Sequence, residues 1–275
     1  MTHVPTPPTP TPPTPRRPTP TPSSPAVVVR GVRKSFPGMD RPALDGVDLC
    51  VGKGRICALL GANGAGKTTL IRILTTLTAP DAGDVLVAGR DVRTEPNAVR
   101  AAIGLVGQNA AVDEVLSGRR NLVLFGRLCG LSTADARTRA GDLLAWAGLD
   151  DAADRPVATY SGGMRRRLDL AAGLVTTPEV LVVDEPTTGL DPQARREIWA
   201  AVRALADEGV TVLLTTQYLE EADELADDVV ILRDGRVVAT GTPAELGRVV
   251  GEPQLVLRPP TLEDVYLHLH AEVAR

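Results

Sequence analysis

The hydrophobic residues of this chain are grouped in short runs that predict buried strands. The clearest runs are residues 56–60, 180–184 and 210–215, each mostly apolar. A strand that is apolar at successive positions is covered on both faces, as in the centre of a parallel sheet. Further runs at residues 26–30 and 85–88 predict strands near the N-terminus. The pattern therefore predicts a sheet whose central strands are buried on both sides.

The spacing of apolar residues changes to a helical period in the middle of the chain. From about residue 112 to residue 175, apolar residues recur at about 3.6-residue intervals. The residues that define this spacing are Leu122, Phe125, Leu128, Ala136, Ala140, Leu143 and Leu144. We therefore predict a helical insertion, about residues 110–178, in a domain that otherwise alternates strands and helices.

Turn and cap signals separate these elements. Asp191 can cap a helix that starts at Pro192. The dipeptide Asp-Gly at residues 234–235, flanked by two apolar segments, is typical of a two-residue hairpin turn. Alternating strands and helices with a hairpin predict an α/β sheet with an antiparallel edge.

The two ends differ in composition from the predicted folded domain, residues 26–247. Residues 1–25 are rich in Pro and Thr, cannot bury apolar surface, and are expected to sample polyproline II as a solvated tail. A ligand for a proline-binding domain is the alternative interpretation of this segment. Residues 248–275 are expected to form a short extension with a terminal helix that starts near Thr261.

Composition limits the classes of partner. Of 275 residues, 43% are hydrophobic and 23% are charged, so the chain can bury a core. The net charge of −4 argues against a nucleic-acid partner, because no basic block offers a phosphate-binding face. Residues 165–167, the densest basic cluster, are interpreted as a helix face or a partner contact.

Cys57 lies in an apolar run and is expected to be a buried, reduced thiol. No apolar stretch approaches the ~18 residues of a membrane helix, so any membrane association is expected through a partner.

Residues 61–69 read G-A-N-G-A-G-K-T-T between a predicted strand and a predicted helix. In such a unit, loop N–H groups and the helix N-terminus face an anion. Lys67 can reach the β- and γ-phosphates of a nucleotide, and the Thr68 hydroxyl can bind Mg²⁺. A glycine-rich turn with a surface lysine is the alternative, which the flanking strand and helix disfavour. The candidate nucleotide-binding residues in this loop are Gly61, Asn63, Gly64, Ala65, Gly66, Lys67, Thr68 and Thr69.

Two acidic residues follow the apolar run at residues 180–184. Asp184 ends this run, where a Mg²⁺-binding carboxylate belongs beside a phosphate loop. Glu185 can polarise an attacking water as a general base. By themselves two acids after a strand are more typical of a turn, and the phosphate loop reverses that preference.

Ser161, Gly162 and Gly163 form a second candidate anion site. Ser161 can cap the helix that follows it, and the glycines leave the N–H groups of that helix end accessible. A capped helix without a ligand is the alternative. Because the two anion sites lie far apart in the sequence, this one makes sense if it serves the nucleotide of another subunit.

The motifs at residues 61–69, 160–164, 181–186 and 189–191 occur in the order found in an ABC-type ATPase, the nucleotide-binding domain of ABC transporters. The chain resembles this family over about residues 26–247. The resemblance implies an α/β fold with a P-loop NTPase core, a mixed sheet, an antiparallel β-subdomain and a helical insertion. It also implies ATP and Mg²⁺ as cofactors, and a head-to-tail homodimer that encloses two ATP molecules.

The resemblance assigns roles to individual residues. Ser161, Gly162 and Gly163 would complete the ATP site of the partner subunit. The other implied roles are adenine stacking for Phe36, Mg²⁺ sensing and contact with the membrane partner for Gln108, contact with the γ-phosphate for Gln217, and communication across the dimer for Asp191.

Residues 215–223 and 260–266 resemble more narrowly the daunorubicin-resistance branch of bacterial drug and antibiotic exporters. In that branch the ATPase is a separate polypeptide that pairs with a short integral membrane permease. Gln217 replaces the switch histidine of the general family, as is common in the branch. Met164 replaces the commoner signature glutamine, and the segment at residues 247–258 is shorter than the branch implies.

We therefore interpret the chain as the ATP-hydrolysing subunit of an ABC exporter at the cytoplasmic face of the membrane, which powers efflux of a drug-like compound through a separate permease. One alternative is an ATP-binding switch or drug-sequestering protein with little turnover, against which Glu185 argues because a pure binder does not require a base. The other is a non-transport ABC ATPase. Such proteins usually carry two of these domains or a long coiled-coil or zinc insertion, and this sequence shows neither.

Overall fold

The computed structural model describes residues 25–108 and 110–248. The sequence predictions for the Pro/Thr-rich tail, the segment at residues 247–258 and the helix near Thr261 fall almost wholly outside these residues. Within them the strands are β1 (Val27–Lys34), β2 (Leu44–Val51), β3 (Ile56–Leu60), β4 (Ala82–Val87), β5 (Arg90–Asp91), β6 (Ile103–Val106), β7 (Val180–Asp184), β8 (Thr211–Thr216), β9 (Asp228–Arg233) and β10 (Arg236–Gly241).

Eight α-helices accompany these strands in the described part of the chain. They are α1 (Lys67–Leu74), α2 (Pro96–Ala102), α3 (Gly118–Leu128), α4 (Thr133–Trp146), α5 (Gly162–Gly173), α6 (Pro192–Asp207), α7 (Leu219–Leu225) and α8 (Pro243–Arg248). None of them is long and apolar enough to cross a membrane.

The strands form one mixed and one antiparallel sheet. The larger sheet has the order β10-β9-β3-β8-β7-β6, in which only the β9–β10 pair is antiparallel. The smaller sheet is antiparallel, with the order β2-β1-β4-β5. Between β6 and β7 the chain is helical through α3, α4 and α5. The α/β prediction with a mixed sheet and an antiparallel β-region is therefore confirmed.

Alternate residues of the central strands pack into two different apolar cores. In β3, Ala58 joins one core and Cys57 the other, and in β7 Val183 and Val182 divide in the same way. Every residue of both strands is buried, as their continuous apolar sequences predict. Burial raises the pKa of Cys57 to about 12, so this side chain stays a thiol at neutral pH.

Cap and turn signals in the sequence correspond to the structure. The Asp191 carboxylate accepts a hydrogen bond from the Ala194 N–H at 2.9 Å and caps α6. Asp234 and Gly235 join β9 to β10 with φ angles of 51° and 75°. These left-handed conformations are the ones that a two-residue hairpin requires, and they explain the Asp-Gly sequence.

The expected helical spacing is wrong at one position. Leu122 is 1% exposed in α3, but Leu128, six residues later, is 73% exposed. At about 100° per residue, six residues rotate the side chain about 120° away from the buried face of the helix. Leu128 therefore lies on the surface of the helix and not in its buried stripe.

Candidate functional site

The predicted site residues follow three neighbouring strands at the same edge of the sheet. Leu60, the last residue of β3, pairs with Thr216 of β8, and Asp184, the last residue of β7, pairs with Thr215. Ligands of open α/β sheets bind at the carboxyl ends of the strands. The topology therefore brings the phosphate loop after β3, the acids at the end of β7 and Gln217 after β8 to one edge.

The phosphate loop requires glycine at two positions for different reasons. Gly66 has a φ of 109°, and a Cβ there would lie 2.5 Å from the Ala43 carbonyl oxygen. Gly64 has a φ of 80°, and a Cβ there would meet no atom within 4 Å. Gly66 is thus fixed by close packing against the protein, whereas the open surface at Gly64 leaves room for a ligand to approach the backbone.

Lys67 is a nearly buried cation at the first position of α1. Its side chain is 6% exposed, and its Nζ donates to the carbonyl oxygens of Gly61 at 2.6 Å and Ala62 at 3.3 Å. The Glu185 carboxylate lies 3.6 Å from the same nitrogen. The loop therefore holds the ammonium group beside the acid that follows β7.

Glu185 has a backbone conformation that few non-glycine residues adopt. Its φ is 47°, and its N–H is held by the Thr215 carbonyl oxygen at 3.2 Å and the Thr215 hydroxyl at 3.1 Å. Its carboxylate accepts hydrogen bonds from the Gln108 amide and the Thr188 hydroxyl, each at 3.3 Å. Left-handed non-glycine residues held by their surroundings are frequent at functional sites. The turn after β7 thus aims the carboxylate of Glu185 at Gln108 and Lys67.

Asp184 is more buried than Glu185. It is 8% exposed, and its carboxylate accepts a hydrogen bond from the hydroxyl of Thr215, which is fully buried. The same threonine therefore fixes the Asp184 side chain and the Glu185 backbone. Thr215 was not a candidate on sequence grounds, because a threonine at the end of an apolar run is ordinary for a strand.

A cleft of about 290 Å³ opens above these groups. It is lined by Phe36, Met39, Ala43, Ala62, Asn63, Gly64, Gly66, Lys67, Thr68, Thr69, Gln108 and Glu185. The structure thus brings Phe36, from the loop after β1, and Gln108, after β6, to the phosphate loop. The Lys34 ammonium lies 5.4 Å from the Phe36 ring centre, and Phe36 is 36% exposed.

Two residues of the predicted nucleotide-binding loop, Gly61 and Ala65, do not line this cleft. Ala65 is 5% exposed and belongs to the apolar core. A Cβ at Gly61 would lie 2.5 Å from the Leu232 carbonyl oxygen. These positions pack the loop onto the sheet, so a nucleotide could meet only their backbone groups.

The second candidate anion site lies outside the lining of the cleft. Ser161 is exposed and caps α5 by accepting the Met164 N–H at 3.2 Å. Gly162 is also exposed, whereas a Cβ at Gly163 would lie 2.8 Å from the Cβ of Ala194. Close packing of α5 on α6 therefore explains Gly163, and the exposed end of α5 stays free for a separate contact. Gln217 and Asp191 are likewise exposed and do not line the cleft in the described structure.

The interpretation of residues 165–167 as a helix face or partner contact is wrong for Arg166. Arg166 is 8% exposed, and its guanidinium donates hydrogen bonds to the carbonyl oxygens of Pro186 and Asp184. It lies three residues after buried Gly163 and four before buried Leu170, which places it on the buried stripe of α5. That spacing was the available signal, and the run of three arginines obscured it.

Glu221 is a second buried ionic residue that the sequence did not identify. It is 1% exposed, and its Oε1 accepts hydrogen bonds from the Thr187 hydroxyl at 2.7 Å and the Trp199 indole N–H at 3.0 Å. Glu221 thereby connects α7, after β8, to the turn after β7 and to α6.

Replacing Glu221 with alanine is expected to destabilise the protein by about 2–5 kcal/mol, because the variant leaves two buried donors without an acceptor. Urea unfolding would measure this loss. Glu221→Gln keeps an acceptor and should cost less, and exposed Asp223→Ala in the same helix is the control. Equal unfolding midpoints for Glu221→Ala and Asp223→Ala would contradict the role of this carboxylate.

Comparison with known proteins gives one consistent family. A model of the ABC transporter family matches residues 44–188. The daunorubicin resistance ATP-binding protein DrrA3 of Streptomyces coeruleorubidus is 57% identical over 226 residues, which cover 82% of this chain and 71% of that protein. The daunorubicin/doxorubicin resistance ATP-binding protein DrrA of Streptomyces peucetius is 52% identical over 247 residues, covering 90% and 73%.

The fold agrees with these sequence matches. A dimeric structure of the ATP-binding cassette MJ0796, bound to ADP and Pi, superposes with a TM-score of 0.71 at 25% identity and covers 79% of this chain and 98% of that one. The family match spans more than half of this chain and includes the phosphate loop and the acids after β7. The chain therefore belongs to the ABC transporter family of ATP-binding proteins and is an ABC-type ATPase.

Proposed function

We propose that this chain is the ATP-hydrolysing subunit of an exporter that removes a drug- or antibiotic-like compound through a separate membrane permease. The observation that carries the proposal is the convergence of Lys67, Gln108 and Glu185 around one cleft. Identity to resistance ATP-binding proteins over most of the chain supports the transported class.

The cleft geometry supports nucleotide binding. The Lys67 ammonium exchanges loop carbonyl oxygens for phosphate oxygens, and the loop N–H groups and the N-terminus of α1 surround the phosphates. The exposed ring of Phe36 lies at the side of the same cleft, where it can stack on adenine. Thr69 and Asn63 also line this cleft.

The oxygen donors near the cleft fit Mg²⁺. Thr68 offers a hydroxyl, Gln108 an amide oxygen and Asp184 a carboxylate fixed by Thr215. Mg²⁺ typically takes one or two carboxylates together with substrate phosphates, and no cluster of three or more His, Cys, Asp or Glu ligands occurs in residues 25–108 and 110–248. When bound with ATP, the ion would neutralise charge on the phosphate oxygens.

Glu185 is the general base in this proposal. Its carboxylate accepts from Gln108 and Thr188 and lies beside Lys67. It takes a proton from the attacking water as the bond to the γ-phosphorus forms, and ADP leaves with the electrons of the broken bond. The positive charge of Lys67 stabilises the negative charge that develops on the phosphate oxygens of the leaving ADP.

A head-to-tail homodimer accounts for the exposed end of α5. Ser161, Gly162 and Gly163 lie outside the cleft of their own subunit, so they are available to the nucleotide of the partner. The dimeric cassette bound to ADP and Pi supports this arrangement by its similarity. Asp191, which caps α6, would carry signals across the dimer, and the permease would hold both subunits at the cytoplasmic face of the membrane.

Transport tests this function directly. The full-length chain, expressed with a candidate permease, should lower cellular accumulation of daunorubicin, and the purified complex should show daunorubicin-stimulated ATPase activity. The Lys67→Ala form is the inactive control. ATP binding without turnover would favour the sequestering alternative, and turnover without a change in accumulation would contradict export of daunorubicin.

Gln217 gives a prediction that depends on pH. A glutamine amide can donate to a γ-phosphate oxygen but cannot titrate. Gln217→Ala is therefore expected to lower turnover with a modest loss of ATP affinity, because it removes a contact most useful in the transition state. Gln217→His should stay active and gain a pH dependence near the histidine pKa of about 6.5.

Steady-state ATPase assays between about pH 5.5 and 8.5 would compare the parent with both variants. Exposed Glu220 supplies a matched control as Glu220→Ala in the same segment. Parental turnover in Gln217→Ala would show that another residue senses the γ-phosphate.

A further inference from the structure

The guanidinium of Arg166 connects the segments that carry Gln108 and Glu185. Its Nε donates to the Pro186 carbonyl oxygen at 2.8 Å, and its Nη2 donates to those of Asp184 at 3.0 Å and Glu185 at 3.3 Å. Its Nη1 donates to the Gly107 carbonyl oxygen at 2.7 Å. One side chain therefore holds the backbone of the turn after β7 and the residue that precedes Gln108.

Asp169, one turn further along α5, completes this arrangement. One of its oxygens accepts from Arg166 at 3.1 Å, and the other accepts the Ala111 N–H at 2.9 Å. The pair thus holds the chain on both sides of Gln108. Burial lowers the pKa of Arg166 and raises that of Asp169, and the opposite charge of each opposes the change in the other. Removing one member of such a buried pair leaves the charge of the other uncompensated, so both are needed to keep this arrangement.

The same helix also reaches the proposed dimer surface. Helix α5 is capped by exposed Ser161, and Arg166 lies five residues along it, about 7.5 Å at 1.5 Å per residue. Gly163, between them, packs against Ala194 of α6 without space for a Cβ. Ser161 and Arg166 thus belong to one continuous helix, through which a displacement at its exposed end could reach Arg166.

We propose that Arg166 is a positioning residue that couples nucleotide contact at Ser161 to the placement of Glu185 and Gln108 in the same subunit. This inference rests on the proposed function, because it requires that the end of α5 contacts the nucleotide of the partner. Each site would then become competent only when α5 of its own subunit is engaged in the other site. This coupling would make ATP hydrolysis at the two sites cooperative.

Arginine suits this position in a way that lysine does not. The guanidinium is planar and donates from all three of its nitrogens, to the carbonyl oxygens of Pro186, Gly107 and Glu185. A lysine has a single nitrogen and cannot reach these oxygens together. Arg166→Lys keeps the positive charge near Asp169 but releases part of the backbone, so it separates charge from geometry.

Steady-state ATPase measurements and a fluorescent ATP-binding assay on the full-length chain would test the proposal. Arg166→Lys is expected to lower kcat roughly 10- to 100-fold, as small displacements of catalytic groups do. It should leave ATP affinity within about twofold of the parent, because the phosphate loop is untouched. The Hill coefficient for ATP hydrolysis should fall toward one. Arg167→Lys is the matched control, because Arg167 lies next to Arg166 in α5 and pairs at 3.6 Å with Glu197 of α6.

Asp169→Asn keeps the proposal testable where Arg166→Lys folds poorly. The amide retains an oxygen for the Ala111 N–H but loses the carboxylate that faces Arg166. We expect a smaller loss of kcat with the same decrease in cooperativity.

Three outcomes separate the possibilities. Parental kcat and cooperativity in both folded variants would overturn the positioning role. A proportional loss of kcat and ATP affinity with a lower Tm would also overturn it, because it would indicate a structural role only. If the parent itself neither hydrolyses ATP nor dimerises with it, the proposed function fails, and the coupling fails with it.

Discussion

Glu185→Gln is expected to lower ATP turnover about 10²- to 10⁴-fold while ATP still binds. The amide has nearly the shape of the carboxylate, so the turn held by Thr215 and Arg166 should stay intact. It cannot accept a proton from water, and Lys67 and the loop still hold the phosphates. The variant should therefore accumulate an ATP-bound dimer, which size-exclusion chromatography with ATP and Mg²⁺ would detect.

A glutamate at the opposite end of the same strand provides the control. Glu179 precedes β7 and pairs with Arg90 at 2.8 Å, away from the cleft. Glu179→Gln removes the same charge from the protein and should hydrolyse ATP like the parent. Parental turnover in Glu185→Gln would remove Glu185 from the role of base, whatever its effect on dimerisation.

The strands of the parallel sheet could be predicted because their chemistry is local. Residues 56–60 and 180–184 are apolar at almost every position, and such short runs are typical of strands covered on both faces. The loop after β3 was predictable for a related reason. Its glycines occupy positions where φ is positive or a Cβ has no room, so the sequence records the geometry directly.

The support beneath the site could not be predicted in the same way. The contacts of Arg166 reach Gly107 and Pro186, far from it in the sequence, and they use backbone oxygens that every residue has. Glu221 contacts Thr187 and Trp199 through the fold alone. The helical spacing of Arg166 could indicate that it is buried but not which carbonyl oxygens it contacts, so an arginine or glutamate in a polar run resembles a surface residue.

The allocation of residues between subunits lies between these cases. The sequence predicted a second anion site at Ser161, and the structure places this residue outside the cleft formed by its own Lys67 and Glu185. A single chain explains why Ser161 caps α5 but not what its exposed end contacts. The roles of Ser161, Gln217 and Asp191 in a dimer therefore remain predictions, of which the variants above test that of Gln217.

Lys67→Ala is expected to weaken ATP binding roughly 10- to 150-fold, since hydrogen bonds to charged groups contribute about 1.5–3 kcal/mol. In the free protein the ammonium donates to the carbonyl oxygens of half-buried Gly61 and exposed Ala62, which water can reach when the ammonium is absent. The fold should therefore survive, with a small change in Tm. Turnover should fall further than affinity, because the charge on the transferred phosphoryl group grows toward the transition state.

Isothermal titration with ATP and a thermal-shift assay with and without ATP would measure both effects. Arg72→Ala, which removes an exposed cation from the last turn of the same helix, is the matched control and should bind ATP like the parent. The parent should also lose affinity as salt rises, since part of its binding is ionic, and Lys67→Ala should show a weaker salt dependence. Equal affinities of the two variants would place the phosphates elsewhere than beside Lys67, and the cleft would lose its assignment as the ATP site.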